Sequence, residues 1–307
     1  MKVLVTGVCG QLGHDVVNEL TKRGHEAIGS DITPVYSGAD DGTAVTRAPY
    51  VQLDITDADA VSRVLGETKP DAVVHCAAWT AVDAAEDNED RVRAINAGGT
   101  RHIAAACKVL GCKLMYISTD YVFDGQGETP WAPDCTDYAP LNVYGQTKLE
   151  GELAVRELVE RFFIVRIAWV FGLNGKNFIK TMLSLGQKHE CVRVVCDQIG
   201  TPTYTLDLAR LLVDMIETDR YGYYHATNEG GYISWADFAG EIFRQAGMPT
   251  KVVPVTTSAY GLSKAARPFN SRLDKRKLIE NGFEPLPTWQ DALSRYLREI
   301  GCTADKT

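Results

Sequence analysis

The sequence lacks any excess of positive charge. Its 307 residues include 32 Lys and Arg against 40 Asp and Glu, which gives a formal net charge of −8. Nucleic acids and anionic membrane surfaces attract clustered basic residues, and no apolar run approaches the roughly 18 residues of a membrane-spanning helix. We therefore expect neither nucleic acid nor a membrane as a partner.

Signals for metal binding and for secretion are also scarce. The eight Cys are scattered, with no CxxC spacing, and the six His show no ligand spacing. A zinc site needs paired ligands at short spacing, so we predict that the protein has no metal site. The opening MKVLVTG indicates a buried strand and a Gly turn, not a signal peptide. We expect reduced thiols and a cytoplasmic location.

Strand and helix patterns alternate over the first 170 residues. Segments such as 2–6 and 72–75 have too few polar positions to alternate, which is typical of strands buried on both faces of a parallel sheet. We predict an α/β fold, a Rossmann-type doubly wound parallel sheet with a smaller C-terminal α/β substrate-binding lobe. The dinucleotide-binding domain is predicted at 1–170 and the lobe mainly at 171–307, with an approximate boundary that the chain can recross.

A glycine-rich turn follows the first strand. Gly7, Gly10 and Gly13 are spaced GxxGxxG before a helix, where glycine lets a pyrophosphate approach the helix N-terminus. Asp31 ends the second strand, where a carboxylate accepts hydrogen bonds from an adenosine ribose and repels a 2′-phosphate. Arg47 in the long loop after it could offset that repulsion, and a loop-capping role for Asp31 stays open. The predicted cofactor is NADH or NADPH.

Three residues predict carbonyl reduction. Tyr144 and Lys148 stand one turn apart on a predicted helix, and Thr119 ends the fifth strand. A nearby ammonium favours the phenolate of a tyrosine whose ordinary pKa is about 10. The arrangement suits hydride transfer to a carbonyl with Tyr144 as the proton donor, although a surface Tyr and Lys would give the same spacing. Asn96 either anchors a water behind Lys148 or packs within its helix.

Several motifs resemble the extended short-chain dehydrogenase/reductase family over essentially the whole chain. They are TGVCGQLG, LDITD, STDYVFDG, YGQTKLEGE, VRIAWVFG and DQIGTPT. The resemblance implies NAD(P)H-dependent reduction of the C4 keto group of a nucleotide sugar, dTDP-4-dehydro-L-rhamnose, to dTDP-L-rhamnose. It also implies that Thr119, Tyr144 and Lys148 are catalytic.

The motifs and the resemblance together imply two sets of site residues. The cofactor-binding set is Gly7, Gly10, Gln11, Leu12, Gly13, Asp31, Asp54, Ile55, Ala77, Ala78, Trp79, Thr80, Tyr144 and Lys148. The substrate-binding set is Thr80, Thr119, Asp120, Tyr121, Trp169, Gln198, Thr201, Pro202, Thr203 and Arg267. In the second set we expect Trp169 to pack on the sugar ring, unless it is a core residue, and Arg267 to contact a diphosphate.

The sequence departs from the family pattern in two places. The loop from Ile32 to Pro49 is longer than is typical of the family. Some members dimerise through a magnesium ion bridged by carboxylates, but only Asp15 and Asp207 stand in the matching segments, so we expect no metal. A monomer and a homodimer both stay open.

Two alternative functions are weighed against the reductase. A sugar-nucleotide dehydratase or epimerase is one, but dehydratases carry a Glu where this sequence has Tyr121. A non-catalytic regulatory subunit, similar to the methionine adenosyltransferase beta subunit, is the other. Intact Thr119, Tyr144 and Lys148 argue against a purely regulatory role.

Overall fold

A computed structural model describes residues 1–303 and contains one large sheet and several short ones. The strands are β1 (Lys2–Thr6), β2 (Glu26–Asp31), β3 (Tyr50–Gln52), β4 (Ala72–His75), β5 (Lys113–Thr119), β6 (Phe162–Ile167), β7 (Val170–Phe171), β8 (Cys191–Val195), β9 (Ile199–Gly200), β10 (Thr203–Tyr204), β11 (Gly222–His225), β12 (Ile233–Ser234) and β13 (Lys251–Val255). The helices are α1 (Gln11–Lys22), α2 (Ala58–Thr68), α3 (Val82–Ala85), α4 (Glu89–Arg93), α5 (Thr100–Leu110), α6 (Val143–Leu158), α7 (Phe178–Gly186), α8 (Thr205–Ile216), α9 (Trp235–Gln245), α10 (Thr257–Tyr260), α11 (Arg276–Glu280) and α12 (Trp289–Glu299).

The large sheet has seven parallel strands in the order β11-β6-β5-β4-β1-β2-β3. The strand order reverses at β1, and Thr6 at its end pairs with Ser30 of β2 and with His75 of β4. The carboxyl ends of these strands therefore lie at one level, beside the point where such sheets bind ligands. The predicted Rossmann-type doubly wound fold is confirmed.

The central strands of this sheet, β1, β4, β5 and β6, are buried on both faces. In β1, Val3 and Val5 enter the core beneath α1 and α8, whereas Leu4 enters the core beneath α2, α5 and α6. Alternate residues of β1 therefore pack into cores on opposite faces of the sheet. This explains why apolar and polar residues do not alternate along the strand.

The second half of the chain contributes to both lobes. The smaller lobe packs α7, α9 and α12 around the parallel pair β8 and β13. However, α8 packs on α1, and β11 extends the large sheet beside β6. The chain thus recrosses after residue 204, and a single domain boundary near residue 170 stays a prediction. No helix within residues 1–303 is long and apolar enough to cross a bilayer.

His75 is a buried neutral group of the core. Its Nδ1 lies 2.7 Å from Thr6 Oγ1 and its Nε2 lies 3.2 Å from Thr100 Oγ1. Burial, with a smaller contribution from the Lys148 ammonium, lowers the pKa of His75 to about 3. Between about pH 6.5 and pH 3 the unfolded chain therefore binds a proton at this residue and the folded chain does not.

We expect stability to fall on acidification through this residue. Between about pH 6.5 and pH 3, His75 should remove up to about 1.4 kcal/mol of unfolding free energy per pH unit. His75→Gln keeps neutral polar atoms beside the threonines and should reduce the slope, measured by urea unfolding at several pH values. The exposed His189→Gln is the control, and equal slopes in both variants would contradict the prediction.

Candidate functional site

A cavity of about 780 Å³ runs along the carboxyl edge of the large sheet. Every residue of the predicted cofactor-binding set lines it. The cavity begins at the glycine turn after β1 and extends past the ends of β5 and β6 to the second lobe. The structure therefore brings the two ends of the predicted site into one continuous space.

The glycine turn forms a cradle that side chains would fill. Gly7 has φ +73°, and a Cβ there would lie 2.6 Å from the Ala77 nitrogen. A Cβ on Gly13 would lie 2.4 Å from the Gly7 oxygen. No acidic residue occupies the first turn of α1. The N-terminus of this helix therefore has the shape and the polarity that suit a diphosphate.

The Asp31 carboxylate, at the end of β2, is oriented by backbone groups. Asp31 accepts hydrogen bonds from the Cys9 nitrogen at 2.9 Å and from the Ile32 nitrogen at 2.8 Å. Both of its oxygens are thereby fixed, with further lone pairs available to a ligand. Arg47 instead donates to the Gly42 oxygen and does not line the cavity, so it is not placed to offset the charge of Asp31.

Tyr144 and Lys148 reach the cavity from the first turns of α6. Asn142 caps this helix by accepting a hydrogen bond from the Gly145 nitrogen at 2.8 Å. The Lys148 ammonium donates to the Ile117 oxygen at 2.7 Å and lies 4.0 Å from the centre of the Tyr116 ring. These contacts fix the position of the ammonium at the cavity wall.

Burial acts on the two groups in opposite directions. Burial raises the pKa of Tyr144, and a hydrogen bond with Thr119 partly opposes this increase. Burial lowers the pKa of Lys148 to about 7, and the Glu152 carboxylate opposes this change. Glu152 is itself paired with Arg166 at 2.7 Å, where both side chains are fully buried. The phenol is consequently protonated at neutral pH, as a proton donor must be.

Asp120 and Tyr121 continue the wall beyond Thr119. Thr119 donates to one oxygen of Asp120 at 2.9 Å, while the other oxygen is buried without a partner among residues 1–303. Burial raises the pKa of Asp120 to about 6. The Tyr121 ring lies edge-on to Tyr144, with 5.6 Å between ring centres. Polar and aromatic groups are thus available beside the phenol.

Trp169 lies on the cavity wall. Its φ of +52° is left-handed, a strained conformation for a residue with a Cβ. The indole stacks on Trp235 with 3.7 Å between ring centres. A Cβ on Gly200 would lie 2.9 Å from this indole, so the glycine makes room for it. The sequence alone did not identify Trp235, whose pairing depends on a helix far along the chain.

A second cavity of about 200 Å³ adjoins the first, because Tyr121 and Trp235 line both. Two residues of the predicted substrate-binding set, Gln198 and Arg267, line it. Arg267 donates to the Tyr121 hydroxyl at 3.3 Å and pairs with Asp83 at 2.8 Å.

The structure does not bring three predicted substrate residues to either cavity. Thr201, Pro202 and Thr203 are buried, and the two threonine hydroxyls donate to the oxygens of Gly231 and Ala168. The reason is local pairing, since β9 and β10 turn this segment inward beneath Trp169.

Asn96 joins the cofactor side of the cavity to α6. It lies in a π-helical turn at Ala94–Gly99, which joins α4 to α5. Its side chain bonds both the nitrogen and the oxygen of Trp79, at 2.8 and 3.2 Å, and donates to Thr147 at 3.1 Å. It therefore braces the loop after β4 against the helix that carries Tyr144.

No group of three or more His, Cys, Asp or Glu able to hold a metal occurs within residues 1–303. The two acidic residues considered for a bridging ion have other surroundings. Asp207 pairs with Arg295 at 2.7 Å. Burial raises the pKa of Asp15 to about 7.

Comparison with known proteins identifies relatives along the full chain. The family model described as the RmlD substrate binding domain matches residues 1–302. A dTDP-4-dehydrorhamnose reductase of Streptomyces griseus is 41% identical over 298 residues, which cover 95% of this chain and 91% of that protein.

Two solved reductases share the fold. A dTDP-4-dehydrorhamnose reductase of Clostridium acetobutylicum superposes with a TM-score of 0.89 at 40% identity, over 98% of this chain and 100% of that one. One from Bacillus anthracis, solved in complex with NADP, gives 0.86 at 39% identity, over 97% and 99%.

Gly13→Ala tests whether the close packing of the glycine turn outweighs the higher helix propensity of alanine. Alanine favours a helix by about 1 kcal/mol over glycine, so Gly66→Ala, on an open position of α2, should raise the melting temperature. Gly13→Ala should lower it and weaken NADPH binding at least about tenfold, since its Cβ meets the Gly7 oxygen. Thermal unfolding and fluorescence titration measure both. Equal stabilisation by the two substitutions would show that the cradle is not closely packed.

Proposed function

Because the chain belongs to the RmlD substrate binding domain family, we propose that it reduces the C4 keto group of dTDP-4-dehydro-L-rhamnose to give dTDP-L-rhamnose, with NADH or NADPH as reductant. The observation that carries this proposal is the convergence of Thr119, Tyr144 and Lys148 on the cavity that begins at the glycine cradle. The similarity of named reductases over the full chain supports the same reaction.

The protein's own residues handle the proton in this mechanism. A nicotinamide cofactor, which the glycine turn and Asp31 would hold, would supply the hydride to C4. Tyr144, kept protonated by burial, donates its proton to the C4 oxygen. The Thr119 hydroxyl, which donates to Asp120 in the structure, would turn to donate to the same oxygen and hold it in place. The phenolate that remains is stabilised by the Lys148 ammonium, which the Ile117 oxygen orients. Proton exchange with solvent then restores the phenol.

The rest of the substrate would extend toward the second lobe. Trp169 offers an aromatic face to the apolar side of the deoxysugar. The adjoining cavity, with Arg267 and Gln198 on its wall, accepts the nucleotide diphosphate. This placement lets the sugar lie across Tyr121, which lines both cavities.

The dehydratase alternative lacks a catalytic group that it needs, and the regulatory-subunit alternative predicts a different experimental result. A dehydratase needs an elimination base where Tyr121 stands, with its pKa raised by burial to about 12. A regulatory subunit would not consume reduced cofactor. Stoichiometric oxidation of NADH or NADPH with dTDP-4-dehydro-L-rhamnose, made in situ by its upstream enzymes, tests the reductase directly.

We further propose a cytoplasmic protein that is a monomer or a homodimer. The eight Cys are free thiols in the structure, which suits a reducing compartment. Light scattering of the purified protein distinguishes the two oligomeric states.

Tyr144→Phe should lower turnover about 100-fold or more while cofactor binding persists, because the proton donor is removed and the ring is kept. Steady-state kinetics and fluorescence titration measure the two effects. Tyr221→Phe, at a hydroxyl bonded to Asp219 away from the cavity, is the matched control. Near-normal turnover of a folded Tyr144→Phe variant would exclude it as the donor.

Trp169→Ala should weaken dTDP-L-rhamnose binding about tenfold and slow hydride transfer, since the reacting carbon loses an aromatic support. NADPH affinity should change little, the melting temperature should fall because the stack on Trp235 is lost, and Trp169→Phe should restore part of both losses. Calorimetric titration and single-turnover kinetics provide the measurements. A large loss of melting temperature with normal kinetics would instead identify Trp169 as a core residue.

A further inference from the structure

The charged groups on the wall of the large cavity are mostly acidic. The lining includes the carboxylates of Asp31, Asp54 and Asp120 and two ammonium groups, those of Lys148 and Lys176. The Lys148 ammonium is hydrogen-bonded to the Ile117 oxygen, one turn of α6 beyond Tyr144. Lys176 is exposed, and it has no hydrogen-bond or ion-pair partner within residues 1–303.

The loop that carries Lys176 is attached to the glycine turn. On one side of it, Asn174 donates to the oxygens of Cys9 and Gly10, each at 3.4 Å. On the other side, Asn177 donates to Gln11 Oε1 at 3.1 Å. The residues flanking Lys176 therefore contact the segment that leads into α1, so its side chain starts at the edge of the cradle.

The same loop is ordered by contacts with the following helix. Asn177 caps α7 by accepting a hydrogen bond from the Lys180 nitrogen at 3.0 Å. The Lys180 ammonium donates to the oxygen of Gly175 at 3.0 Å. Lys180 is thus occupied in holding the loop, which leaves Lys176 as the cation available at this end of the cavity.

We propose that Lys176 binds the diphosphate of the nicotinamide cofactor, an inference that rests on the proposed function. The N-terminus of α1 supplies N–H groups to one side of the diphosphate but no cation, as the first turn and the glycine cradle contain none. Lys176 supplies the ammonium from the second lobe. A flexible ammonium suits this role as a point charge toward phosphate oxygens.

The inference is tested by cofactor binding to the full chain in the absence of sugar nucleotide. Lys176→Met keeps the length of the side chain and removes its charge. It should raise the Kd of NADH and of NADPH by the same factor of about ten, measured by fluorescence titration. The salt dependence of binding should decrease, and Lys176→Arg should retain most of the affinity. Lys188→Met, at an exposed lysine outside the cavity, is the control.

The other outcomes identify which idea fails. Loss of NADPH affinity alone would assign Lys176 to the 2′-phosphate and overturn the inference. If the wild type binds both nucleotides and Lys176→Met leaves both Kd values unchanged, the inference is overturned as well. A separate titration in which the variant loses affinity for dTDP-L-rhamnose alone would also overturn it. A wild type that binds neither nucleotide would overturn the proposed function itself.

Discussion

Parallel pairing of β1 with both of its neighbours is the constraint on which the site depends. The strands are buried on both faces, so their backbone groups must pair along their whole length. Thr6 is therefore level with Ser30 and His75, and Thr119 is paired with Ile167 farther along the sheet. The loops that follow these strands must emerge at one edge, and the large cavity lies there.

Burial of ionisable groups at this edge has a direct energetic consequence. Desolvation disfavours both the phenolate of Tyr144 and the ammonium of Lys148. The buried ion pair of Glu152 and Arg166 stands one helical turn behind Lys148, and the Glu152 carboxylate supports the charged amine. The phenol of Tyr144 is thus kept protonated. The pKa of Lys148, whose ammonium would stabilise the phenolate, lies at about 7.

The sequence identified those parts of the site that depend on local spacing. Gly7 and Gly13 follow a buried strand, and Tyr144 and Lys148 share a helix face, so each pair is positioned by its own element. Trp235 was missed, because its contact with the cavity depends on stacking between distant segments. Two-residue strands such as β9 and β10 have no periodicity that a sequence pattern can reveal.

The recrossing of the chain explains how the two lobes share one cavity. After the segment around Trp169, the chain builds part of the smaller lobe, and it returns through α8 and β11 to the large sheet. Loops of the smaller lobe are therefore tied at both ends to the sheet whose edge they cover. Asn174 and Asn177 add direct hydrogen bonds to the glycine turn. Groups from the smaller lobe therefore reach the cavity at two places, the glycine turn and the wall formed by Trp235.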